Sequence, residues 1–93
     1  MDKQAKDMYV EIGLLKILDQ FKGYPCREDA LRDQYTISCP GVKLSQDEFS
    51  GYLEILRGKG FIVYRIPTLG PKTWIITPAG KAVVDDYRYQ EDF

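Results

Sequence analysis

Between Leu44 and Val84 the hydrophobic spacing changes from helical to alternating and back to helical, so this stretch must build a helix, a hairpin and a second helix in direct succession. It opens on Ser45-Gln46-Asp47-Glu48, the spacing of a capping box. The Ser45 hydroxyl accepts from the amide of Glu48, and the Glu48 carboxylate reaches back to the amide of Ser45. Leu44 before the cap and Phe49 at the fourth helical position match the accompanying hydrophobic staple, so a helix starts at Ser45. Phe49, Leu53 and Leu56 form its apolar stripe, with Gln46, Asp47, Ser50, Gly51 and Glu54 on other faces. Tyr52 and Ile55 either widen that stripe or remain as exposed contacts. Gly58-Lys59-Gly60 ends the helix, with Arg57 and Lys59 near its negative end.

Phe61 to Ile66 and Thr73 to Thr77 are rich in branched and aromatic residues and are separated by Pro67-Thr68-Leu69-Gly70-Pro71, which predicts an antiparallel hairpin. Phe61 and Trp74 are expected to pack between hairpin and helices rather than to stack on bases, because alternating apolar positions already require burial. Thr77 suits a cap and Pro78 the first position of a final helix, with Ala79, Ala82, Val83 and Tyr87 marking its inward face and the last residues expected to fray.

In the first half, Val10, Leu14, Ile17, Leu18 and Phe21 recur at helical spacing and predict an amphipathic helix over about 8–22. Gly23-Tyr24-Pro25 stops it, since proline cannot donate the continuing bond, and a short turn or strand should follow. A second helix is expected over about 26–35, with Ala30, Leu31 and Tyr35 inward and Arg27, Glu28, Arg32 and Asp33 solvated. Cys39-Pro40-Gly41 then forms a turn within Thr36 to Lys43. The 93 residues suit a single domain, with its core over about 8–88.

A net charge of −1 exerts no strong pull on a polyanion, so any nucleic-acid face must be local. No apolar run is long enough to cross a bilayer, and Met1-Asp2-Lys3-Gln4 does not open a secretion signal, so a cytoplasmic protein without a membrane partner is expected. Cys26 and Cys39 leave free thiols or one disulfide open, and with no histidine they are too few for an ordinary zinc site. Without histidine, a phosphate-binding glycine motif or a cysteine beside a recognisable base, neither enzymatic activity nor a cofactor or metal is expected.

The run Phe49-x-x-x-Leu53-x-x-Leu56-x-x-x-Gly60-Phe61-Ile62, followed by a hairpin and by Ile76-Thr77-Pro78-Ala79-Gly80, resembles winged helix-turn-helix regulators, particularly those of the PadR and MarR families. The resemblance implies an α+β fold: a small winged helix with a three-helix core, a C-terminal helix and a two-stranded β-hairpin wing. It also implies that the helix from Ser45 presents Gln46, Ser50, Gly51, Tyr52 and Glu54 to a DNA major groove, with Arg65 and Lys72 flanking the wing.

The residue chemistry is compatible with that placement. Gln46 and Ser50 each offer a donor and an acceptor to a base edge or phosphate. Lys43, Arg57, Lys59, Arg65 and Lys72 can supply phosphate contacts if folding collects them on one side, and Leu69 at the hairpin tip can touch a groove or a partner. Each also has an ordinary reading as solvated surface. The expected function is sequence-specific binding of double-stranded DNA by a transcription regulator of viral or prokaryotic type, as a homodimer covering two half-sites. The alternative is a winged-helix protein-interaction module, or an inhibitor of a cellular or viral machine, because Asp47, Glu48 and Glu54 on the proposed reading helix suit a basic protein groove.

Overall fold

The computed structural model describes residues 2–91, with side chains through Tyr87. Its elements are α1 (Lys3–Gln20), β1 (Cys26–Arg27), α2 (Glu28–Ser38), α3 (Gln46–Gly58), β2 (Ile62–Arg65), β3 (Thr73–Ile76) and α4 (Pro78–Glu91). The expected α+β winged helix is present, and β1 enlarges the two-stranded wing to a three-stranded antiparallel sheet of order β1-β3-β2. The expected fraying of the last residues lies outside the described residues.

Helix α1 begins five residues before the apolar spacing predicts. Asp2 caps it, its carboxylate accepting from the amide of Ala5 at 2.7 Å, which makes a helical turn of residues with little to bury. It ends once Lys22 and Gly23 both enter the left-handed region, at φ 54° and 85°. Val10, Leu14, Leu15, Ile17 and Leu18 are its buried face.

The expected start of α2 at residue 26 is corrected to Glu28. Cys26 and Arg27 are drawn into the sheet opposite Trp74 and Thr73, and a residue cannot serve a strand ladder and a helix together. At its other end α2 runs on to Ser38, with the amide of Cys39 bonded to the Tyr35 carbonyl at 2.8 Å before Pro40 intervenes. Leu31 and Tyr35 are buried as expected, but Ala30 is exposed. Glu28, expected to be solvated, is half-buried and accepts from the indole N–H of Trp74 at 2.9 Å, which ties the root of the wing to α2.

Helix α3 carries the full capping box: Glu48 N donates to Ser45 Oγ at 3.2 Å and Ser45 N donates to Glu48 Oε1 at 3.1 Å. Phe49, Leu53 and Leu56 are fully buried, and Leu44 packs on the same core from its partly buried position. Beyond the helix, β2 and β3 pair Ile62 with Ile76 and Tyr64 with Trp74; Ile62, Ile76 and Trp74 are buried, while Tyr64, Val63 and Arg65 remain exposed.

Thr77 joins the hairpin to α4. Its hydroxyl donates to the Gly60 carbonyl at 2.7 Å and accepts from the amide of Gly80 at 3.1 Å, so one side chain caps α4 and closes the end of α3. Gly80 lies so close to the Phe61 carbonyl that a methyl group there would meet the oxygen at 2.2 Å. The inward face of α4 differs from the predicted one. Val84 is buried and Val83 and Tyr87 are half-buried, but Ala79 and Ala82 are exposed. Both cysteines are buried free thiols, and burial raises the pKa of each. Among the described residues no helix is long and apolar enough to cross a membrane.

Candidate nucleic-acid interface

The capping box sets the direction of α3 and therefore which side chains reach solvent. Gln46 and Gly51 are exposed and Ser50 is partly so. Gln46 is also held in place. Its amide nitrogen donates to Ser50 Oγ at 3.3 Å, and its carbonyl oxygen accepts from the guanidinium of Arg32 on α2. Arg32 was expected only as a solvated residue. No local rule links positions 32 and 46, so this connection exists only once α2 packs beside the start of α3.

Two of the three carboxylates on α3 are neutralised within the molecule. Glu48 closes the capping box and pairs with Lys6 at 3.3 Å. The bond from the Ser45 amide, followed by Lys6, lowers the Glu48 pKa below the usual carboxylate range. Glu54 pairs with Arg57 at 2.8 Å, and the Arg57 guanidinium lies 5.8 Å from the centre of the Tyr64 ring. Among the described residues Asp47 has no such partner.

Folding does not collect all the predicted contacts on one side. Tyr52 leaves the reading face, because its ring is buried among core residues and its hydroxyl donates to Asp7 at 2.6 Å. Burial first and this bond second push the Tyr52 pKa up to about 12. Lys59 is drawn onto α1 by a 2.7 Å ion pair with Glu11, and Arg57 is committed to Glu54. Lys43 and Arg65 are exposed and, among the described residues, form no ion pair. Lys72 lies 4.6 Å from the Tyr64 ring centre and 5.4 Å from that of Trp74, an arrangement that steadies the ammonium at the foot of the wing without neutralising it. Leu69 at the wing tip is 91% exposed.

Gln46, Arg32 and Lys72 border one surface depression of about 310 Å³, which brings the start of α3 and the foot of the wing together. Glu28, Asp29 and Asp33 border it too. Glu28 is occupied by the Trp74 indole and Asp29 by Arg27 at 3.0 Å, so among the described residues the carboxylates left without an ion pair or such a bond around α2 and the start of α3 are Asp33 and Asp47. The face is mixed in charge.

No protein-family model and no curated protein sequence matches the chain. Solved structures do match. A MarR-family transcriptional regulator from Silicibacter pomeroyi superposes with a TM-score of 0.68 at 22% identity, covering 84% of this chain and 47% of its own, so the present chain spans about half of that protein. A proposed transcriptional regulator from Thermoplasma acidophilum gives a TM-score of 0.79 at 17% identity over 97% of this chain and 86% of its own. A PadR-family regulator from Clostridium difficile R20291 gives 0.71 at 17% identity over 88% and 85%. The chain has the winged-helix fold of MarR-like and PadR-like regulators.

Proposed function

We propose that this protein binds double-stranded DNA sequence-specifically and acts as a cytoplasmic transcription regulator, a binding module with no catalytic role. The observation that carries this reading is the α3 surface. Glu48 and Glu54 are both compensated by internal cations, so Gln46 and Ser50 present an amide and a hydroxyl with little local repulsion from those two carboxylates. Lys43, Arg65 and Lys72 retain cationic groups for phosphates on either side, and Leu69 extends the wing toward a groove. The structural neighbours, described as transcriptional regulators, support the same reading.

A single domain reads few base pairs, so the reading includes a second copy for a second half-site. The surface that suits it is an apolar groove of about 570 Å³ along α1, which includes exposed Met8, with Ile12 and Val83. Selection from a randomised duplex library at low salt tests the proposal. A recovered motif supports it, and uniformly undetectable binding overturns it.

Asp33 and Asp47, which form no ion pair among the described residues, favour a second reading in which the same face engages a basic protein. A direct complex that survives nuclease treatment and is weakened by Asp47→Lys would favour that reading. Improved DNA affinity from the same substitution would favour the first.

A further inference from the structure

We infer that the tip of the wing is an apolar wedge that opens a base step of duplex DNA from the minor groove, with Leu69 the inserted side chain. The inference rests on the DNA-binding proposal and adds to it a second way of selecting sequence. From Ile66 to Pro71 the wing carries no charge, and Thr68 is its one polar side chain. Leu69 is 91% exposed and Ile66 69%, so most of the apolar surface of the tip meets water. Such a tip gains little from phosphates and most from a place that excludes water.

The tip is also stiff. Pro67 and Pro71 fix their own φ on either side of Leu69. Between them Gly70 takes φ 124°, and a methyl group there would lie 3.8 Å from the Pro67 ring, so that ring stands beside Gly70 across the turn. A loop already held in one shape loses little freedom on insertion.

Charge sits at the foot of the tip, one cation on each face. Tyr64 and Trp74 are opposite each other on β2 and β3 with ring centres 5.4 Å apart, and Lys72 lies over both rings, so these three share one face of the hairpin. Arg65, the next residue along β2, leaves by the other face. Cations on opposite faces of an uncharged tip match the two phosphate backbones that wall a minor groove. A duplex supplies both lines of negative charge at every position, whereas a protein pocket must build them. Pro71 and Lys72 border the same depression as Gln46, so a duplex with its major groove on α3 has the neighbouring minor groove beside the wing.

A leucine side chain has no donor or acceptor, so the wedge reads no base edge. It selects by the cost of unstacking, which is lowest at the pyrimidine-purine steps TA and CA/TG. Such a step is expected about five base pairs, half a helical turn, from the bases under α3.

The test uses the full chain and a duplex selected from a randomised library, with 2-aminopurine placed in turn at each adenine. Wild type should raise the fluorescence several-fold at one step and bend the duplex by about 20–90°, read by energy transfer between its ends. Leu69→Ala should abolish both effects and weaken binding about ten-fold, while Leu69→Met, which keeps an apolar side chain of similar reach, should retain them. Replacing the flexible step by AA should weaken wild type by a similar factor and leave Leu69→Ala unchanged. Position 69 is outside the core, so both variants should unfold at the wild-type temperature. A chain that selects a motif but shows no fluorescence rise, or binds equally as wild type and Leu69→Ala, overturns the wedge and leaves the DNA reading standing. Failure to select any duplex overturns both. A Leu69→Ala defect confined to a nuclease-resistant protein complex assigns the tip to a protein and overturns the wedge.

Discussion

A single hydrogen at position 13 sets how closely α1 approaches the end of α2. A methyl group on Gly13 would meet Cys39 Sγ at 2.6 Å, too short for any real contact. Gly13→Ala should therefore cost about 1–3 kcal/mol by overpacking, and adding Cys39→Ala should recover most of it. Urea unfolding of the two single variants and the double variant checks this, and additive losses would show that the two positions do not clash. At position 45, Ser45→Ala removes the acceptor for the Glu48 amide and should cost about 0.5–2 kcal/mol. Glu48 adds a pH dependence. Its carboxyl is held below its ordinary value in the folded chain, so the stabilisation is complete above the unfolded value and disappears as pH falls through the lowered folded value. The stability difference between wild type and Glu48→Gln should accordingly be largest near neutrality and shrink in acid; a difference that grows on acidification would contradict the assignment.

At the level of elements, the wing is anchored at its root and free at its tip. Trp74 is buried, bonded to Glu28 and paired across the hairpin with Tyr64, whose ring centre lies 5.4 Å away, whereas Ile66 and Leu69 are exposed. A rigid root keeps Arg65 and Lys72 at a defined separation from α3. If both touch phosphates, changing both to glutamine should reduce the slope of log affinity against log salt by about 1.8, with similar losses on selected and scrambled duplexes. An unchanged slope in a folded variant would remove them from the contact surface. The junction of hairpin and α4 is less tolerant. Gly80→Ala directs its methyl at a backbone oxygen, which no side-chain movement relieves, so a larger loss of thermal stability is expected than for Ala82→Ser at an exposed position of the same helix.

At the scale of the whole molecule, near-neutral net charge coexists with ion pairs that tie the elements together. Ion pairs such as Lys6 with Glu48, Lys59 with Glu11 and Lys81 with Asp19 link α1 to α3, to the end of α3 and to α4. All three are at least partly exposed, so each contributes little to stability, but together they consume cations and anions that would otherwise blur the candidate interface. The apolar strip on α1 is the complementary feature. Sedimentation should show concentration-dependent association, and Met8→Lys, placing a charge at a residue 57% exposed, should shift it toward monomer while leaving the fold intact. Association unchanged by Met8→Lys would remove this strip from the proposed dimer.

What the sequence by itself determined is the set of local events. The cap at Ser45, the stop at Gly58 to Gly60, the hairpin and the cap at Thr77 each depend on residues within a few positions of one another, where backbone geometry and side-chain reach leave few alternatives. The buried stripe of α3 was legible for the same reason. Tertiary structure decided everything that joins distant segments: Cys26 and Arg27 pairing with Trp74 and Thr73, Glu28 meeting the Trp74 indole, Tyr52 turning to Asp7, and Lys59 leaving the interface for Glu11. The placement of Gln46 under Arg32 belongs to this second group, although both residues were visible as polar surface positions. Periodicity states which face of an element is apolar, but the partner of a polar side chain depends on where packing brings another element, and that follows from the core as a whole.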